Sequence, residues 1–216
     1  MKSKFEKQLD KSILSHLDGK LLQLAELMIE DKEIEALQDY ANTVSITRLN
    51  YNDHGPVHMR KVASNAIKIM NILNGAGIKF NLELENYGTF EDSRIAVFTA
   101  AFLHDIGMSI GRDGHERMSV TLTQDKVNEI MRVIYPDDLR MQLVIKSLIF
   151  EGMIGHMGTQ KIHSLEAGVV LVADGCDMEG GRARIPLIME SGSKVGDIHK
   201  YSSAAIKKVY LEEGKE

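Results

Sequence analysis

The chain has 216 residues, of which 44% are hydrophobic and 26% are charged, as is usual for a folded domain with a core of its own. Its formal net charge of −5 argues against a general nucleic-acid surface or an anionic-membrane surface. The single cysteine, Cys176, excludes an internal disulfide and a cysteine-rich zinc site. Because no apolar signal region or membrane-length apolar run (~20 residues) is visible, we expect a cytoplasmic protein without a membrane partner.

The N-terminal segment, residues 1–48, is predicted to form amphipathic helices that pack on the rest of the chain. In its first stretch, apolar residues recur at every fourth position, the spacing of one helix face: Phe5, Leu9, Ile13 and Leu17. The segment contains one histidine, His16. We therefore interpret these helices as packing elements, and their apolar faces are compatible with a homodimer.

The first candidate metal ligand lies on a predicted helix that Asn52 or Asp53 can cap and that has Pro56, a residue suited to the first turn, near its start. His58 lies on the apolar, inward-facing stripe of this helix, and His54 lies just before the helix or in its first turn. A lone inward histidine is more often a satisfied core residue than a ligand. The second histidine and the neighbouring Arg60 and Lys61 favour a functional site here.

The apolar run 95–103 predicts a buried helix that ends in the adjacent pair His104 and Asp105, with Gly107 ending or bending the element. Unpaired polar groups in an apolar setting cost several kcal/mol, and a divalent cation would satisfy both side chains at once. The alternative is that backbone and solvent satisfy the pair at a helix end. The other histidines favour the metal.

Three further candidate ligands follow at helix ends. His115 opens a helix that stops at Pro136; as a neutral ligand it avoids the repulsion that a charged histidine meets at a helix N-terminus, and the alternative is a solvated loop histidine. His156 lies among glycines, which let the backbone approach a ligand closely. Asp174 follows an apolar run that has strand-like β-branching but that we interpret as a helix, and a buried acid so placed needs a partner.

The order of these residues resembles the H…HD…D signature of the HD superfamily of metal-dependent phosphohydrolases, which here comprises His58, His104, Asp105 and Asp174. The resemblance covers about residues 50–180, and residues 51–58 resemble an uncharacterised microbial or archaeal subgroup. Family members with additional histidines between the HD pair and the last aspartate hold a second metal, so His115 and His156 imply a dinuclear site. Because no GYP motif follows, the cyclic-di-GMP branch of the family is not indicated.

The fold we predict is all-α, a compact HD-domain bundle of about eight to ten helices with a central metal-binding cleft. We divide the chain into an N-terminal helical segment, an HD phosphohydrolase domain, and a C-terminal linker and tail, at residues 1–48, 49–190 and 191–216. The 12 methionines are interpreted as adaptable core residues rather than as part of a cofactor site.

Two divalent metals are assigned to the cleft. The first would be bound by His58, His104, Asp105 and Asp174. The second would share Asp105 and add His115 and His156. Imidazole and carboxylate suit Mn, Fe, Ni, Co or Zn, and Mg suits a histidine-rich site less well. Two such metals, about 3.5–4 Å apart, can hold the hydroxide that attacks phosphorus and can neutralise the developing charge.

Further side chains are candidates for substrate binding and proton transfer. The cations that could hold substrate phosphates are Lys61, Arg112, Arg182 and Arg184. For the last two, salt bridges to nearby acids are the alternative. Asp105 is an expected catalytic residue. His54 or His163 is the expected general acid, because imidazole titrates near neutrality. For His163 the alternative is a position that faces solvent.

The predicted function is a metal-dependent phosphohydrolase that cleaves a phosphomonoester or phosphodiester. Its expected partner is a small phosphorylated substrate, a nucleotide or a related compound, without general nucleic-acid binding. A metal-dependent nucleotide-sensing module and an HD-type di-iron oxygenase are the alternatives. A helical structural protein with incidental histidines is a further alternative, and it predicts no stoichiometric metal.

Overall fold

A computed structural model describes residues 2–179 and 206–214, and over this part of the chain the protein forms nine α-helices and no strand. The helices are α1 Lys4–Leu14, α2 Gly19–Glu30, α3 Lys32–Thr43, α4 Pro56–Gly75, α5 Asn81–Leu84, α6 Phe90–Leu103, α7 His115–Ile134, α8 Leu139–Gly155 and α9 Leu165–Gly175. A π-helical turn, Val44–Arg48, continues α3, and a 3-10 turn, Ile106–Ser109, follows α6. The all-α prediction is confirmed, and the stretch with strand-like composition before Asp174 is helical. The division of the chain at residues 48 and 190 stays a prediction.

Helix α6 forms the centre of the bundle and packs against α4, α8 and α9. Its residues 95–103 are all buried, because an all-round apolar helix is stable only when neighbours cover every face. A capping box fixes its start: the Thr89 side chain accepts from the Asp92 N–H, and the Asp92 carboxylate accepts from the Thr89 N–H. No helix among the described residues combines the length and apolar character needed to cross a membrane.

The N-terminal helices surround this centre. Helix α1 packs on α4, α2 packs on α6 and α7, and α3 packs on the 3-10 turn Ile106–Ser109. Their apolar faces contribute fully buried side chains to the same core cluster as the central helices, among them Leu21, Leu24 and Ile34. The segment therefore covers the bundle on the side where α6 ends.

A buried polar network ties the N-terminal helices to α4 and α6. Arg60 is 1% exposed, and its side chain donates to Asp10 Oδ1 at 2.6 Å and to Gln38 Oε1 and the Pro56 carbonyl at 3.0 Å each. Gln38 in turn donates to the Phe102 carbonyl at 2.8 Å. These contacts satisfy a guanidinium that could not otherwise be buried, and they fix α4 and the end of α6 relative to α1 and α3.

The 3-10 turn after α6 lies directly against the start of α7. The Gly107 N–H donates to Ser119 Oγ at 2.8 Å, and this hydroxyl also contacts the His104 and His115 carbonyls. A Cβ on Gly107 would overlap the His115 carbonyl oxygen and would lie 2.6 Å from the Ser119 nitrogen. Because both obstacles are backbone atoms, this close approach requires glycine.

Replacing Arg60 by alanine is expected to lower the free energy of unfolding by roughly 3 kcal/mol, because it removes the more buried of the two cations that contact the Asp10 carboxylate, the other being Lys2. Urea denaturation measures this change. Arg132→Ala is the matched control: Arg132 is an exposed helical residue, so its removal should alter stability by less than about 0.5 kcal/mol. Equal stability of the two variants would contradict the role given to the network.

Gly107→Ala is expected to cost about 1–3 kcal/mol of stability, because the added methyl group forces the turn away from α7. Gly75→Ala is the control, since a Cβ there meets nothing within 4 Å and alanine is the better helix former by up to about 1 kcal/mol. Thermal and urea unfolding of both variants test the pair. A Gly107→Ala protein as stable as wild type would show that the turn is not tightly docked.

Candidate metal centre

Six side chains from five helices converge in the middle of the bundle: His58, His104, Asp105, His115, His156 and Asp174. They come from the first turn of α4, the C-terminal ends of α6, α8 and α9, and the first residue of α7. Five of them are buried, and Asp174 is partly exposed, with 19% of its side chain accessible. The sequence-predicted metal ligands thus lie together, and Asp174 is the one nearest to solvent.

The carboxylate of Asp105 lies between two pairs of histidines. Its Oδ2 is 3.3 Å from His58 Nε2 and 3.2 Å from His104 Nε2. Its Oδ1 is 3.1 Å from His115 Nε2 and 3.5 Å from His156 Nε2. Each oxygen therefore faces its own pair of imidazole nitrogens, which is the arrangement of a carboxylate that can bridge two cations.

Backbone carbonyls orient three of the four rings. The contacts join His104 Nδ1 to Ala101 O at 2.8 Å, His115 Nδ1 to Arg112 O at 2.8 Å, and His156 Nδ1 to Met153 O at 2.6 Å. A carbonyl oxygen only accepts hydrogen bonds, so each Nδ1 carries a hydrogen. In the neutral ring the lone pair is then on Nε2, the atom that points at Asp105.

Within each pair of histidines, the two Nε2 atoms also lie close together, and this arrangement favours a bound metal. His58 Nε2 and His104 Nε2 are 3.3 Å apart, and His115 Nε2 and His156 Nε2 are 3.1 Å apart. Two neutral rings with their lone pairs opposed would repel each other. A cation between them removes that repulsion and at the same time satisfies the buried carboxylate. The donor set fits divalent transition metals.

Two overlapping groups have the compactness of metal sites, because in each group one ligand atom per residue lies within 4.8 Å of the others; they are His58, His104, Asp174 and His104, Asp105, His156. Asp174 joins the first group through its Oδ1, which is 3.1 Å from His58 Nε2. His115 adjoins the second group at 3.1 Å from Asp105 Oδ1. His104 is near both groups, so the division of ligands between two cations depends on where each cation sits.

The surroundings of Asp105 keep it ionised. Burial opposes ionisation, but the nearby imidazoles of His104 and His54, with hydrogen bonds from His104 and His115, outweigh burial and hold the pKa of Asp105 well below its usual range. The carboxylate thus attracts positive charge, and a metal ion can supply it in place of protons.

Asp177 is a functional neighbour that the sequence reasoning missed. Its Oδ2 lies 2.7 Å from His58 Nδ1, and Lys61 Nζ lies 3.2 Å from its Oδ1 and 3.2 Å from Glu179 Oε2. Burial works to lower the pKa of Lys61, but the attraction and hydrogen bonds of Asp177 and Glu179 outweigh it and raise the pKa. Because Asp177 follows the end of α9 at Gly175, the helical spacing that marked the other ligands does not apply to it.

His54 and Arg112 lie beside the cluster. The His54 ring centroid is 5.8 Å from that of His58, and its Nδ1 contacts the Asn52 carbonyl at 2.7 Å. The Arg112 guanidinium carbon lies 5.6 Å from the centre of the Tyr51 ring. Both residues are therefore within the neighbourhood where the sequence placed them, and their roles toward a substrate stay predictions.

Of the three remaining sequence-predicted residues, the structure describes only His163, and it lies away from the cluster. His163 is exposed and lies before α9, whereas Asp174 lies near its end; the helix from Leu165 to Asp174 alone spans about 14 Å at 1.5 Å per residue. Arg182 and Arg184 lie outside the described residues, so their predicted contacts with substrate stay predictions.

Similarity to known proteins identifies the family of the chain. The sequence model of the HD domain matches residues 57–179, which is more than half of the chain. The uncharacterized protein MJ1020 of Methanocaldococcus jannaschii is 37% identical over 212 residues, which cover 97% of this chain and 79% of that protein. No solved structure is significantly similar to the chain.

The matched segment contains all six clustered side chains. HD domains bind divalent metals and are in general found in metal-dependent phosphohydrolases, and the buried donor set described above suits that chemistry. The chain therefore belongs to the HD-domain family, as the order of its histidines and aspartates predicted.

Proposed function

We propose that the protein is a dinuclear metal-dependent phosphohydrolase that cleaves a phosphomonoester or phosphodiester bond of a nucleotide or a related small phosphate. The observation that carries the proposal is the position of Asp105, whose two oxygens each face a separate pair of imidazole nitrogens. A site for one cation would need only one such group. Two bound cations would supply the activation of a water molecule and the neutralisation of charge on the phosphoryl oxygens.

The proposed ligand sets follow the distances. The first cation would be held by His58, His104, Asp105 and Asp174. The second would be held by Asp105, His115 and His156. The carbonyl contacts at Nδ1 keep the rings of His104, His115 and His156 in place before a cation arrives, so binding requires little reorganisation of these side chains.

Two residues beside the cluster are proposed to act on the substrate. His54 is the proposed proton donor to the leaving oxygen: its Nδ1 contacts a carbonyl, so its Nε2 is the atom that exchanges a proton. Arg112 is proposed to bind a phosphate group through its guanidinium. His163 is omitted from the proposal because of its distance from the cluster.

Metal analysis of purified protein tests the centre. Wild type, reconstituted with Mn, Fe, Ni, Co or Zn, is expected to hold close to two equivalents, and Asp105→Asn is expected to lose at least one, because a neutral amide cannot bridge two cations as a carboxylate does. Asp125→Asn, an exposed carboxylate on α7, is the matched control and should keep both. A wild type that binds no metal under any of these conditions would contradict the proposal.

Hydrolysis assays of the metal-loaded protein test the reaction, with p-nitrophenyl phosphate, bis-p-nitrophenyl phosphate and a panel of nucleotides as substrates. His104→Ala is expected to reduce kcat/KM by at least about 100-fold, the upper range found when partners outside the ligand set are removed. His16→Ala is the control, because His16 is an exposed histidine just after α1, and this variant should leave kcat/KM unchanged. Nucleotide binding without turnover would identify a sensing module, and oxygen consumption by the iron-loaded protein would identify an oxygenase.

A further inference from the structure

We propose that Asp177 and Lys61 form a positioning pair that holds His58 and thereby tunes the first metal site, and that Lys61 acts on His58 through Asp177 rather than on the substrate. The inference rests on the proposed metal centre. It assigns a role to a carboxylate outside the predicted ligand set, and it replaces the substrate-binding role that the sequence suggested for Lys61.

The imidazole of His58 lies between two aspartates that are three residues apart in the chain. Its Nε2 is 3.1 Å from Asp174 Oδ1, and its Nδ1 is 2.7 Å from Asp177 Oδ2. The end of α9 and the residues after it thus contact both edges of one ring. Asp174 is on the metal side of the ring, and Asp177, which is 3% exposed, is on the opposite side.

The closest partner of Nδ1 differs in charge between His58 and the other three rings. The closest Nδ1 partner is a neutral backbone carbonyl in His104, His115 and His156, and the Glu116 carboxylate lies further from His115 Nδ1, at 3.5 Å. In His58 the closest Nδ1 partner is itself a carboxylate, at 2.7 Å. An anionic acceptor increases the electron density of the ring and makes Nε2 the stronger donor to a metal. We therefore expect the donor strength of His58 in the first metal site to depend on Asp177.

Lys61 fixes the orientation of that carboxylate. It lies three residues after His58 on α4, so both side chains project from the same side of the helix. Its Nζ lies 3.2 Å from Asp177 Oδ1, while Asp177 Oδ2 contacts His58. With one oxygen held by the ammonium and the other by the imidazole, the Asp177 carboxylate has a defined rotamer. Glu179 contacts the same ammonium at 3.2 Å. Because two carboxylates already bind Lys61 Nζ, a structural role fits this lysine better than binding of a substrate phosphate.

Metal titration of the apo protein against a chromophoric chelator, without any substrate, tests the inference. Asp177→Asn keeps the shape of the side chain but removes its charge, and it is expected to weaken one of the two metal equivalents by about 10–100-fold while the other equivalent is unchanged. Asp177→Ala should weaken the same equivalent further. With Co as the probe, the visible absorption spectrum of that equivalent should also change. Asp125→Asn is the matched control.

Lys61→Gln separates the two roles of the lysine. A positioning role predicts weaker binding of the same metal equivalent and an unchanged KM for phosphate esters once the site is saturated with metal. A substrate contact predicts unchanged metal binding and a raised KM, and this result would overturn the inference for Lys61. Lys68→Gln, an exposed lysine of the same helix, is the control for both measurements.

The outcomes distinguish this inference from the proposed function. If wild type binds two equivalents and Asp177→Asn binds both with wild-type affinity, the positioning role is overturned while the metal centre stands. If Asp177→Asn weakens the binding of both metal equivalents alike, with an intact circular dichroism spectrum, the proposed selective effect through His58 is overturned. If wild type binds no metal, the proposed function itself fails.

Discussion

The buried carboxylate of Asp105 is the feature on which the rest of the structure depends. An ionised acid is stable in an apolar bundle only when positive or hydrogen-donating groups surround it, and here four imidazoles do so, two at each oxygen. These rings come from four different helices. The helical packing therefore has to bring distant parts of the chain to one point, and it does so around the short turn that follows α6.

Carbonyl oxygens at the ends of two helices orient histidine rings of this site and gain hydrogen-bond partners in doing so. The last carbonyls of an α-helix have no partner within the helix. In α6 and α8, the carbonyls of Ala101 and Met153 contact Nδ1 of His104 and His156, the residues that follow each helix. The contact satisfies the carbonyl, and it also leaves Nε2 of the ring as the metal-binding atom. Ligands at helix ends are thus oriented by the local backbone, whereas His58, within the first turn of α4, relies on a side chain.

The helices and the metal-binding residues were predictable from the sequence because local signals mark them. The apolar run before His104 predicts a buried helix, and the order of histidines and aspartates predicts the cluster. Contacts between residues far apart in the chain have no such signal. Arg60 was interpreted as part of a functional cation cluster with Lys61, yet it is buried against Asp10, 50 residues earlier. Asp177 was likewise missed, because only the folded chain brings it to His58.

The long-range network also bears on where the functional unit begins. The HD-domain match starts at residue 57, after α1–α3, yet Asp10 and Gln38 from these helices satisfy the buried Arg60 guanidinium two residues after His58. Gln38 also contacts the Phe102 carbonyl, two residues before His104. Removing the N-terminal helices would take away the side-chain partners of Arg60 and the donor to the Phe102 carbonyl, next to two metal ligands. The relative from Methanocaldococcus jannaschii aligns over 97% of this chain, so its similarity includes these helices. We therefore expect the metal centre to keep this geometry only when the N-terminal segment is present with the matched domain.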